Sequence, residues 1–223
     1  MTTTPKAYKG LPMEGPIASW YANTTRRDLH RHQLMARQLA GKIPAGGCVL
    51  EIAPGPGFFC IELARLGSYQ ITGLDISKSF VEIARRNAAV AGFQIDFRQG
   101  NASAMPFPDE TFDFTFCQAA FKNFSEPVKA IAEMYRVLRP GGRSVIADMR
   151  RDASQADIDA EVEKMDLGAI NRFIVRWTFN SMLLKNAYRE DELRAMIDRT
   201  PFKDYRIESS GIGFQVWLEK PPA

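Results

Sequence analysis

Between Cys48 and Asp148, short apolar runs alternate with stretches of helical spacing. Cys48–Ile52, Gln70–Leu74, Ile95–Gln99, Phe112–Cys117 and Gly142–Asp148 have strand length. Phe58–Leu66, Ser79–Ala91 and Pro127–Leu138 place apolar residues three and four apart and read as helices. Strict alternation predicts an α/β fold: a doubly wound, mostly parallel sheet with helices on both faces. Residues 1–16 hold Pro5, Pro12, Pro16, Gly10 and Gly15 and read as an irregular arm. Ala18 to Lys42 reads as helix in one or two pieces. An apolar stripe of Leu34, Met35 and Leu39 stands against basic Arg26, Arg27, His30 and Arg31. After Asp148 the rhythm changes. Ser154–Asp166 is a charged amphipathic helix, and Ala169–Lys185 is far more apolar. In the latter, Ile170, Phe173, Ile174, Trp177 and Leu184 recur at helical spacing. A helix over Arg189–Arg199 precedes two strands, Tyr205–Ser209 and Gly213–Leu218, joined as a hairpin through Gly211, which makes seven strands in all. The organisation expected is a cap over 1–44 and a main domain over 45–223, with a helical insertion, a candidate lid, at 152–186.

Composition narrows the picture modestly. At 223 residues, with 45% hydrophobic and 25% charged positions, the chain supports one substantial core. A net charge of +3 is too small to argue for nucleic acid as a partner. With no long uncharged apolar run, no membrane span is expected, and a cytoplasmic protein is the default. Cys48, Cys60 and Cys117 form no C-x-x-C pair and only two histidines exist, so neither a metal site nor a disulfide framework is expected. His30 and His32, two apart on a helix, face different sides. The oligomeric state is left open.

The chemistry concentrates in V-L-E-I-A-P-G-P-G, Val49–Gly57, and G-L-D-I-S, Gly73–Ser77. The first is a strand running into a glycine-rich turn; the second is a strand ending in an acid. A nucleoside fits such a frame, with its polar tail along the glycines and its ribose hydroxyls at Asp75. A dinucleotide fingerprint needs a third glycine inside the helix, where this chain has Cys60. The pattern E-x-A-x-G-x-G, formed by Glu51, Ala53, Gly55 and Gly57, instead resembles the E-x-G-x-G-x-G signature of class I S-adenosylmethionine-dependent methyltransferases. Gln99–Asp113 resembles the segment that closes over adenine in that family. R-V-L-R-P-G-G, Arg136–Gly142, resembles its helix-to-fifth-strand corner. A-F-K-N-F, Ala120–Phe124, is similar to the F-x-x-R-N segment of the ubiquinone/menaquinone C-methyltransferase branch, with Lys122 in the arginine position. The resemblance runs from Ala45 to Asp148, roughly half the chain, in the family's order.

That resemblance implies the Rossmann-like methyltransferase fold and S-adenosyl-L-methionine as cofactor. It implies cofactor contacts at Glu51, Ala53, Gly55, Gly57, Asp75, Ile76, Asn101, Ala102 and Cys117, with Tyr21 closing over them. Asn101 stands where the family has an aspartate that accepts from the adenine amino group. Trp20, Phe121, Phe173 and Trp177 are expected around a small, partly apolar acceptor, methylated by in-line displacement. No catalytic residue is singled out. Plainer roles compete: Asn101 as a turn residue, Cys117 as an inert buried thiol, and the aromatics as core. Three other functions stay open. They are an RNA or protein methyltransferase with Arg26, Arg27, Arg31, Arg150 and Arg151 as a basic rim, a nicotinamide-dependent oxidoreductase, and a non-catalytic nucleoside-binding module.

Overall fold

The computed structural model describes residues 8–9, 12–26, 29–163 and 184–223. In chain order these form α1 (Gly15–Thr25), α2 (Leu29–Ala40), β1 (Cys48–Ile52), α3 (Phe58–Ala64), β2 (Gln70–Asp75), α4 (Lys78–Val90) and β3 (Asp96–Gln99). Then come β4 (Phe112–Gln118), a 3-10 turn (Phe121–Asn123), α5 (Pro127–Val137), β5 (Leu138–Met149), α6 (Gln155–Glu163), α7 (Glu190–Ile197), β6 (Asp204–Ser210) and β7 (Gly213–Glu219). The seven strands lie in the order β3-β2-β1-β4-β5-β7-β6. The first five are parallel, and β7 runs antiparallel to both β5 and β6.

Successive residues of a strand face opposite sides, so β1 feeds two cores. Leu50 and Ile52 enter a cluster with Ile131 and Met134 of α5 and Leu193 and Ile197 of α7. Val49 enters another with Leu39 of α2, Phe59 and Leu63 of α3, and Val81 and Ala84 of α4. A strand buried on both faces must be apolar at nearly every position, which is why the central runs are legible in the sequence. The chain winds outward from β1 to β3, then returns to place β4 on the other side of β1. That reversal opens a crevice at the carboxyl ends of β1 and β4.

Several boundaries differ from expectation by a residue or more, two of them for a visible reason. The arm ends earlier, because Pro16 sits in the first turn of α1, where a missing N–H costs nothing. Strand β5 begins at Leu138 rather than Gly142, with an irregular register opposite Phe112–Phe114. The apolar stretch 169–185, with Phe173 and Trp177, falls almost wholly outside the described residues.

Candidate active site

The glycine loop follows β1. Ala53 holds the left-handed conformation, φ +57°, and its N–H donates to the Leu74 carbonyl at 2.8 Å. The loop thus takes a path that glycine would take more easily, and alanine carries the strain. Gly55 is also left-handed, φ +53°, and a Cβ there would meet nothing within 4 Å. Gly57 differs: its Cβ would lie 2.9 Å from Phe97 Cζ and 3.0 Å from Ala84 Cβ. Gly55 therefore borders open space, whereas Gly57 exists to seat α3 against α4 and β3.

Asp75, buried at the end of β2, accepts the Gly55 N–H at 3.0 Å and the Ser77 N–H at 2.9 Å. Ser77 in turn caps α4 through the Phe80 N–H. Burial pushes the Asp75 carboxyl up to about 6, against backbone bonds from Ser77, Gly55 and Ile76 that lower it. Glu51, equally buried on β1, accepts the Cys60 thiol proton at 2.9 Å, and burial pushes it up to about 7. Cys60, in the slot of the missing third glycine, is thus a partner for Glu51. Neither carboxylate has a cationic partner among the described residues. Two buried carboxyl groups beside an open loop leave unmet demand for positive charge and hydroxyl donors. A ligand with an ammonium, a sulfonium and a ribose diol meets that demand, so the residues fit such a group. Ile76, next to Asp75, is 39% exposed and offers apolar surface beside it.

The end of β4 forms the facing wall. Ala119 is left-handed, φ +56°, so both strands at the reversal end in a strained alanine. The Gln118 Oε1 is buried without a hydrogen-bond partner among the described residues. Lys122 is 8% exposed, and its Nζ donates to Asp148 Oδ1 at 2.7 Å and to the Ala119 carbonyl at 2.8 Å. Asp148, on β5, also accepts the Lys122 and Met149 N–H groups. The pair pins the turn that follows β4 onto β5.

Several expected residues lie elsewhere or do other work. The Cys117 thiol is fully buried in the core, and burial, the largest cause, raises it well above the ordinary thiol range. That leaves it no side-chain role at the crevice. Phe121 is also fully buried, packed on Phe124 and Tyr188 at 5.6 and 5.7 Å between ring centres. It is a core aromatic rather than an open wall. Asn101 Oδ1 accepts the Ser103 N–H at 2.9 Å, a local turn, and an amide oxygen keeps a second acceptor position. Ala102 is partly buried against the core beneath it. Tyr21 lies edge-on to Phe80 of α4, and Trp20 is 66% exposed. Phe173, Trp177 and Arg27 lie outside the described residues. The other arginines of the supposed basic rim have local partners: Arg31 pairs with Glu161, Arg150 with Asp152, Arg151 with Glu192, and Arg26 bonds Asn87. No group of three or more metal-ligating side chains, and no helix long and apolar enough to cross a membrane, occurs among the described residues. The sequence carries no local signal that Asp148 is the partner of Lys122 or that Cys60 is the partner of Glu51.

Known proteins resemble this chain in sequence and in fold. A methyltransferase-domain family model matches residues 50–146. The ubiquinone/menaquinone biosynthesis C-methyltransferase UbiE of Marinomonas sp. is 32% identical over 195 residues, 81% of this chain and 78% of the relative. The demethylmenaquinone methyltransferase of Deinococcus radiodurans is 39% identical over 107 residues, 48% of this chain and 44% of the relative. A putative S-adenosyl-L-methionine-dependent methyltransferase from Methanococcus maripaludis shares the fold, with a TM-score of 0.75 at 20% identity. The alignment covers 100% of this chain and 98% of that one. The chain belongs to the class I S-adenosylmethionine-dependent methyltransferase family, with S-adenosylmethionine as its cofactor.

Proposed function

We propose that this methyltransferase acts on a small, electron-rich aromatic ring of the hydroquinone class and methylates a ring carbon. The observation that carries the cofactor side is the pair of cation-free buried carboxylates, Glu51 and Asp75, flanking the open Gly55 turn. The likeness to a relative named as a C-methyltransferase of ubiquinone/menaquinone biosynthesis, over most of both chains, supports the acceptor class. The cofactor supplies a methyl made electrophilic by its sulfonium. A ring carbon attacks such a methyl only when neighbouring hydroxyls push electrons into it, which points to the reduced ring. A C–C bond forms, a C–S bond breaks, and the ring proton leaves afterwards.

In this reading Asp75 accepts the ribose hydroxyls. Ile76 and the Ala102 N–H serve the adenine, with Asn101 as acceptor for its amino group. Glu51 and Gly55 serve the amino-acid end, while Ala53 and Gly57 shape the loop. The turn pinned by Lys122 and Asp148 holds the acceptor in line, and Trp20 is the proposed acceptor-side aromatic among the described residues. The test is direct. Purified protein is incubated with S-adenosylmethionine and dithionite-reduced demethylmenaquinone, and the product is reoxidised and weighed by mass spectrometry. Ring methylation gives a quinone heavier by one CH2. An O-methyl ether, which cannot reoxidise to the quinone, or no transfer at all, overturns the acceptor assignment.

A further inference from the structure

We infer that Arg136, paired with Glu133 on α5, is a positioning residue: it fixes the loop that reads the adenine of S-adenosylmethionine and so sets the preference for that base. The inference deepens the cofactor assignment proposed above and rests on it. Residues 100–111 join β3 to β4 without a helix or strand of their own. Such a loop keeps one shape only where outside contacts offset the entropy of ordering it. Its upstream end is tied to β2. The Gly100 N–H donates to the Asp75 carbonyl at 2.9 Å, next to the group assigned to the ribose. Asn101 follows at once and bridges to Ala104, whose N–H donates to the Asn101 carbonyl at 3.0 Å. The bond from the Ser103 N–H to Asn101 Oδ1 fixes which end of that amide is the acceptor.

The downstream end is held by α5. Glu133 Oε2 accepts the Met105 N–H at 2.7 Å, and Arg136 Nη2 donates to the Met105 carbonyl at 3.0 Å. One ion pair thus meets both backbone groups of Met105, as a neighbouring strand would. Arg136 Nη1 reaches on to the Phe107 carbonyl at 2.8 Å and to Asp109 Oδ1 at 2.7 Å. Its Nε and Nη2 grip the Glu133 carboxylate at 2.7 and 2.8 Å, and this bond holds the Glu133 carboxyl below the usual carboxylate range. Only a guanidinium offers donors in enough fixed directions to serve all these acceptors. Nearer the start of α5, the Ser103 hydroxyl donates to the Glu126 carbonyl at 3.3 Å. The turn that carries Asn101 is therefore suspended between the end of β2 and one face of α5. Removing the guanidinium frees its α5 side and leaves the strand ladders untouched.

The experiment titrates the full chain with two ligands by calorimetry. One is S-adenosylhomocysteine; the other is its analogue with purine in place of adenine, which lacks only the amino group. Wild type prefers S-adenosylhomocysteine by about tenfold, the size of one hydrogen bond. Arg136→Met weakens S-adenosylhomocysteine by about the same factor and the purine analogue much less, so that the preference disappears. A merely structural role would weaken both ligands alike. A folded Arg136→Met protein that keeps the wild-type preference overturns the inference, whatever its melting temperature. If Arg136→Met fails to fold, Arg136→Lys, which keeps the charge but lacks the fork, is judged by the same preference. Asn101→Ala tests the underlying reading separately. If it keeps the preference, the adenine assignment of Asn101 falls, and a preference that Arg136→Met still abolishes belongs to another group of the same loop. A wild type without any preference overturns both.

Discussion

Ala53 and the two glycines after it sit within five residues of each other, yet each answers to a different constraint. Ala53 bears a left-handed backbone that costs a non-glycine residue about 1–2 kcal/mol. Ala53→Gly is therefore expected to raise stability by about 0.5–1 kcal/mol after glycine's greater freedom when unfolded is subtracted, read by denaturant titration. Gly55→Ala and Gly57→Ala should part company. At Gly57 the added methyl meets Phe97 and Ala84 within 3.0 Å, so a loss of about 2–4 kcal/mol is expected from strain and overpacking together. At Gly55 only the backbone strain applies to folding, about 1–2 kcal/mol, and cofactor affinity takes the larger loss. Equal melting temperatures for the two variants would refute this division. The sequence alone treats the two glycines as equivalents, because the aromatic that crowds Gly57 comes from β3, forty residues further on.

At the level of elements, most of the architecture was legible. Parallel strands buried on both faces need continuous apolar runs, and helices that cover them need an amphipathic period, so β1 through α5 carry their own labels. What escaped depends on pairings across the fold. Lys122 meets Asp148 across 26 residues, and Lys9 meets Tyr188 across 179. No periodicity encodes such distances. The Lys122–Asp148 pair also shows how a turn is held between two strands. Lys122→Met leaves Asp148 buried and unpaired, which is expected to cost about 3–5 kcal/mol in chemical denaturation. Lys122→Arg, which restores the family's residue and its charge, should cost distinctly less. A near-neutral Lys122→Met would mean that the pair does not hold the turn.

For the whole molecule, the two buried carboxylates link stability to pH. Asp75 titrates at about 6 and Glu51 at about 7 in the folded chain, against ordinary values of 3.8 and 4.5. The folded state thus keeps protons that the unfolded chain has released, and the ligand-free protein should lose stability as pH rises from about 4 to 7. A cationic ligand reverses the preference, since it favours the ionised carboxylates. S-adenosylmethionine affinity should therefore climb over the same window, with protons released on binding near pH 6. Calorimetry in buffers of different ionisation enthalpy measures that release, and Asp75→Asn should diminish it. A pH-independent affinity in this window would remove the carboxylates from the binding site.

The position of β7 has a consequence for biosynthesis. It is the last strand in chain order, yet it lies inside the sheet, between β5 and β6. Its residues Val216, Trp217 and Leu218 are all buried. While the ribosome is still making residues 150 to 212, β5 presents a bare, apolar edge with every outward backbone group unpaired. Such an edge is a template for pairing with another chain. The hairpin also supplies the Ile212 carbonyl that takes the Arg150 N–H, just beyond Asp148. The wall of the crevice that holds Lys122 thus gains its outer support only after β7 has been made, and a nascent chain stalled before β7 is exposed to aggregation rather than poised for early catalysis.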